Sequence, residues 1–192
     1  MNTEYTLQEK YNLIKQALLQ EKGANPTEIA KRVMRKQFVN MHGPEHHFLD
    51  GGALMTAIFN AGLPFDLSAC LDKLAERSAK MPGAMCGYWG VCGSVASVGA
   101  VLSVIHEVGP LSDNDYYSDG MKYTSSVIAK MSEIGGPRCC KRNAFLSLGT
   151  AAEFVEQKYG VKLETEQTVC EFFAQNKQCI KERCPFYPKK LC

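Results

Sequence analysis

The chain reads as all-α: a single-domain bundle of about seven helices ending in a cysteine-rich C-terminal tail. Three observations predict this class. Apolar residues recur at three- and four-residue spacing along most of the chain. Cap and stop residues cut that pattern into helix-sized pieces. No convincing run alternates apolar and polar residues as a half-buried strand does, and Val161-Lys162-Leu163 is the one short strand candidate.

The elements follow in order. Leu7, Tyr11, Ile14, Leu18 and Leu19 share a helical face, with Gly23 placed to end it. Asn25-Pro26-Thr27-Glu28 combines an N-cap, a first-turn proline and a carboxylate three residues on, opening a helix to about residue 36. Gly43-Pro44-Glu45 opens a third helix, carrying Phe48, Leu54, Ile58 and Phe59 and stopping near Gly62 and Pro64. Asp66 caps a fourth, with Leu67, Cys70, Leu71 and Leu74, ended by Pro82-Gly83. A tight GYWG loop leads to a helix from Cys92 with Gly93, Ala96, Ser97, Gly99, Ala100 and Ser103. Small residues on several faces let neighbours approach closely, so this helix belongs at the bundle's centre, offsetting about 1 kcal/mol per glycine. Ser112-Asp113-Asn114-Asp115 starts a helix ending at Gly135-Gly136-Pro137, and another runs from about Arg138 to Tyr159 with Gly160 as its stop. A last helix is expected from about Thr165 past Cys170 and Phe173.

The 192 residues and 45% hydrophobic content suit one domain with its own core. Residues 1–40 supply N-terminal helices, 41–160 the core and 161–192 the cysteine-rich tail. The longest apolar run, Val95 to Ile105, is interrupted by Ser97, Gly99 and Ser103, so no spanning helix is expected. A net charge of +2 with interspersed signs gives no long-range pull toward nucleic acid or an anionic membrane. The start, MNTEYTLQEKYN, lacks the basic and apolar regions of a signal peptide, which leads to a cytoplasmic, reducing setting. There, nine clustered cysteines read as metal ligands or reactive thiols rather than disulfides, and their odd number argues the same way.

Four constellations carry the chemistry. Cys170, Cys179 and Cys184, the last followed by Pro185, put three thiols within one short stretch. Thiolates suit soft metals, and proline often follows an iron–sulfur ligand. Zinc fits less well, since only the Cys179–Cys184 spacing approaches a zinc pair. Cys192 is a weaker candidate for a fourth ligand. Cys86 and Cys92 flank the only tryptophan, Trp89, in a glycine-bounded loop. Cys92 sits at a helix start, where amide donors favour a thiolate, and Trp89 could cover a pocket. Cys139 and Cys140 are adjacent and would point their thiols in two directions. The cations around them, Arg138 included, favour thiolate and could hold an anionic group. Finally, His42, Glu45, His46 and His47 fall within six residues, offering imidazole and carboxylate for metal binding or proton transfer. Their spacing is not H-E-x-x-H, so metalloprotease chemistry is set aside. The fourth histidine, His106, follows an apolar helix and is expected only to pack or cap.

Taken together, MHGPEHH (41–47), CGYWGVCG (86–93), GGPRCCKR (135–142) and CEFFAQNKQCIKERCPFYP (170–188) resemble the family called domain of unknown function 5714, found largely in anaerobic microbes. Longer members carry a zinc-ribbon-like head or a methyltransferase domain. Neither is among these residues, so those activities do not transfer. The stretch 92–105 is also similar to the CGA-x-x-G helix of a redox-active, cysteine-rich helical family with iron–sulfur or heme centres, which implies a cluster near Cys92.

The leading expectation is a metal-binding protein with an iron–sulfur cluster, 4Fe–4S in type, doing redox or sulfur-transfer chemistry. Cys170, Cys179 and Cys184 form one ligand set. Cys86, Cys92, Cys139 and Cys140 form a second set or a reactive thiol group, with Cys86, Trp89, Cys92 and Arg138 as cofactor-binding candidates. His42, Glu45 and His46, with Cys139 and Cys140, are the catalytic candidates. A zinc enzyme with Glu45 or His46 as general base stands as an alternative. So does a non-catalytic module that binds metal or cofactor for a partner methyltransferase. A redox protein as partner and a homo-oligomer are left open, as is a small-molecule substrate.

Overall fold

The computed structural model describes residues 5–189 and shows, among them, eight α-helices, two 3₁₀ turns and no strand. Cys192 lies outside the described residues. The helices are α1 (Leu7–Gln20), α2 (Pro26–Met34), α3 (His46–Asn60), α4 (Leu67–Ala79), α5 (Met85–Tyr88), α6 (Gly93–Ile105), α7 (Asp115–Ile134) and α8 (Cys140–Tyr159). No described helix is long and apolar enough to cross a membrane.

The helix starts follow from side-chain caps. Thr6 and Glu9 form a capping box on α1. The Asn25 side chain accepts from the amides of Thr27 and Glu28, and Asp66 accepts from Ala69. Gly160 ends α8 in the left-handed region at φ 65°, which glycine adopts without a Cβ clash. The glycine-bounded loop contains one helical turn, α5, entered through Ala84 at φ 63°.

Two helices make the centre. α3 is buried from His46 to Ile58 and packs on α1, α2, α4, α6 and α8. α6 lies along it, buried on more than one face as its small residues predict. At their crossing the Gly51 amide donates to Ser97 Oγ at 3.0 Å, and a Cβ on Gly51 would stand 2.8 Å from the Ser97 carbonyl oxygen. The helices touch backbone to backbone, which a larger residue would prevent. At the far end of α6, His106 stacks between Tyr116 and Tyr159, with ring centroids 3.7 and 4.9 Å away. It packs, as its place after an apolar helix suggests.

Two expectations fail in the tail. The segment from Gly160 to Lys189 holds no α-helix, only 3₁₀ turns at Phe173–Gln175 and Lys181–Arg183, so the helix expected from Thr165 does not form. Its buried residues, Leu163, Cys170 and Phe172, do not recur at helical spacing, and Pro185 and Pro188 remove amide donors. Val161-Lys162-Leu163 is not a strand either. Its contact with the body is a single bond from the Glu164 amide to the Ala24 carbonyl, with Leu163 buried beside it. A segment this long without regular structure needs another source of order inside a compact domain.

Gly51→Ala should lower stability by about 1–3 kcal/mol through overpacking. Gly149→Ala, on an exposed helical face with nothing within 4 Å of its Cβ, should raise it by about 0.5–1 kcal/mol. Chemical denaturation of both variants checks this pair. Burial holds the His106 imidazole below its ordinary pKa, with Asp119 opposing. The unfolded chain therefore takes the proton first, and the native state loses stability as pH falls below about 6.5. His106→Phe keeps the stack and should lose less stability than the wild type between about pH 7 and 5.

Candidate functional site

The start of α8 divides two neighbouring sites. Cys139 is its N-cap, and its sulfur accepts from the Arg142 amide at 3.4 Å. It lies among the tail residues, while the adjacent Cys140 lines a cavity beneath α3 and α6.

On the tail side, Cys139, Cys170, Cys179 and Cys184 line one enclosed space of about 20 Å³. That is room for roughly one water-sized atom. Backbone amides point at the sulfurs in a repeated pattern. Lys181 donates to Cys179 at 3.4 Å, and the Phe172 and Phe186 amides lie near Cys170 and Cys184, each two residues after its cysteine. Asn176, itself buried, donates to Cys139 Sγ at 3.5 Å. Amide donors around sulfur favour the thiolate. Burial, with Cys139, Cys184 and Cys179 adding to it, nevertheless pushes the Cys170 thiol up to about 11. Burial also raises Cys184, against the Phe186 amide and Arg142. Cys170 N also donates to the Phe186 carbonyl at 2.7 Å, and Phe186 packs edge-on against Phe145 of α8, tying the tail to the body.

On the other side of α8 lies a cavity of about 270 Å³. Among its lining residues are His42, His46, His47 and Asp50 from the α3 region, Cys86 and Cys92 from the ends of the glycine-bounded loop, and Arg138 and Cys140. A wider cleft of about 600 Å³, which shares Cys86, Cys92 and Arg138, extends toward α7. Cys92 is the N-cap of α6, accepts from Asn143 Nδ2 at 3.3 Å and lies near the Ser94 and Val95 amides. Burial outweighs these donors and raises its thiol. Burial likewise pushes Cys140 up to about 12.

Behind this cavity runs a buried polar chain. Lys141, 1% exposed, donates to the Asn40 carbonyl at 2.8 Å and reaches His46 Nε2 at 3.0 Å. That nitrogen also lies 3.3 Å from the Asn40 carbonyl, and His46 Nδ1 lies 3.4 Å from Asp50 Oδ1. Burial pulls the Lys141 ammonium down to about 8. His42 links the two sites. Its Nδ1 takes the Cys140 amide at 3.5 Å, and its Nε2 donates to Asn176 Oδ1 at 3.1 Å.

The predicted residues thus separate by place. Cys139 joins Cys170, Cys179 and Cys184, while Cys140 joins Cys86 and Cys92. His42, His46 and Arg138 border the cavity. Glu45 stands apart, paired with Lys10 at 3.3 Å and accepting from the Asn40 amide at 2.7 Å. Burial alone would raise its carboxyl, but those partners hold it below its ordinary value. Trp89 is 65% exposed and lines neither cavity. Sequence reasoning missed Asp50, Asn143 and Asn176, and read Lys141 only as a cation beside the adjacent cysteines. Asp50 left a signal, a carboxylate four residues after His46 inside the apolar run HHFLDGGALM. Among the described residues, no three His, Cys, Asp or Glu side chains already stand as a ready-made metal-binding group.

The model of a family of unknown function, DUF5714, matches residues 14–187. The chain belongs to this family. The match spans α2 to α8 entire and reaches through the tail to Tyr187. No curated protein and no solved structure matches the chain.

Gly93 tests how the cavity is built. A Cβ there would enter the His47 ring, reaching Cγ at 2.9 Å. Gly93→Ala should cost about 1–3 kcal/mol. In a double-mutant cycle with His47→Ala, which empties that volume, most of the Gly93→Ala cost should disappear.

Proposed function

We propose that this is a metal-binding protein that holds a single zinc or iron ion on Cys139, Cys170, Cys179 and Cys184. The observation that carries this reading is that four cysteines, each with an N–H group near its sulfur, line one space of roughly one atom's size. A tetrahedral thiolate set suits zinc or iron. The small space favours one ion over the multi-atom cluster expected from the spacing of the tail cysteines. The irregular tail supports the reading further, because metal binding supplies order that helix propensity does not.

With iron, the site is a redox centre beside the Cys140 cavity; with zinc, it clamps the tail that helps to wall the site. All eight described cysteines are free thiols, which suits a reducing, cytoplasmic setting. Action alongside a methyltransferase or a redox protein rests on the family resemblance.

Purification without oxygen, followed by metal and acid-labile sulfide analysis, tests the proposal. About one zinc or iron per chain held by the tail, without sulfide, is expected. Cys170→Ser and Cys184→Ser should each release that ion and lower the melting temperature. A tail that holds no metal would overturn the reading, and iron with stoichiometric sulfide would replace the single ion with a cluster.

A further inference from the structure

Two buried atoms remain unexplained by the tail site. His47 Nδ1 and Asp50 Oδ2 have no hydrogen-bond partner, although their residues are 8% and 0% exposed. Leaving such groups unpaired is costly, since neither water nor protein repays their desolvation. Both residues line the same 270 Å³ cavity.

Both atoms present lone pairs. The Met81 backbone acts on the His47 ring. In the tautomer that carries its hydrogen on Nε2, the unpartnered Nδ1 is a bare acceptor. Asp50 Oδ1 lies 3.4 Å from His46 Nδ1, and Lys141 Nζ stands 3.0 Å from the far nitrogen of that ring. A histidine bonded to a backbone carbonyl and a carboxylate steadied by a neighbour are the outer contacts that orient metal ligands. Three thiols, Cys86, Cys92 and Cys140, border the same space. Of its polar donors, Asn143 is engaged on Cys92 and Ser94 on Ser147, while Arg138 also lines it.

We propose that this cavity is a second metal site, taking a divalent transition-metal ion on His47 Nδ1 and Asp50 Oδ2 and drawing in the thiolate of Cys92 or Cys140. Mixed nitrogen, oxygen and sulfur donors suit zinc, iron(II) or cobalt(II). Two protein ligands and one thiol leave a coordination position open, as catalytic metal sites do. The site shares no ligand with the tail thiols, so the two proposals stand or fall separately.

The probe is Co2+, titrated without oxygen into the metal-free Cys179→Ser/Cys184→Ser chain and followed by its ligand-field and sulfur charge-transfer absorbance. About one Co2+ per chain is expected. His47→Gln and Asp50→Asn on that background should each weaken binding roughly tenfold or more. His106→Gln, at the far end of α6 and outside the cavity lining, should bind as before. A folded parent that takes up no Co2+, or unchanged binding in both ligand variants, would overturn the proposal. If the double serine chain does not fold, the wild type serves: about two Co2+ should fall to about one in His47→Gln. An unchanged count there also overturns it. A wild type that binds about one ion, lost in His47→Gln, would retire the tail site and leave this one standing.

Discussion

The backbone contact between α3 and α6 is the constraint on which the rest depends. Gly51 lies against Ser97, and Gly93 lies against the His47 ring, with no room for a side chain at either glycine. This closeness holds the first turn of α3 beside the N-terminus of α6. His46, His47 and Asp50 therefore meet Cys92 across a shared cavity although they are far apart in sequence. Buried charge in that region is matched in pairs: Lys10 with Glu45, and Lys141 with Asp50 through His46. Losing one member of such an arrangement strands the other in the core, which is typically costlier than removing both.

α8 turns this core into two linked sites. Adjacent thiols at a helix start cannot share one pocket, and Cys139 and Cys140 diverge to opposite sides of the α8 start. His42 and Asn176 join those sides through one hydrogen-bonded path, from the Cys140 amide to the Cys139 sulfur. Charge placed on the tail thiols is thereby felt at the rim of the cavity. The tail is shaped less by its own backbone preference than by what its cysteines, Phe172 and Phe186 find to pack against.

Most of the helical core was legible in sequence because its signals are local. Asn25, Asp66 and Gly160 cap or stop helices through contacts made within a turn, and the small residues of α6 announce a crowded centre. The tail misled because a few apolar residues near Thr165 suggest a helix, whereas its order comes from distant partners such as Ala24 and Phe145. The site was legible as motifs but not as pairings. Nothing in the string GGPRCCKR says which cysteine faces the tail, and nothing near Glu45 discloses its lysine partner thirty-five residues earlier. Asp50 lay within a recognised helix, but its role depends on Lys141 from another one.

The central claim is that four thiols gather on one ion. X-ray absorption at the metal edge of the His47→Gln chain, purified without oxygen, tests it most directly, because that chain leaves the tail sulfurs untouched. The account predicts a shell of about four sulfurs near 2.3 Å, the distance for zinc on thiolates, with no second metal scattering beyond it. A shell dominated by nitrogen and oxygen, or a short metal–metal vector, would contradict it.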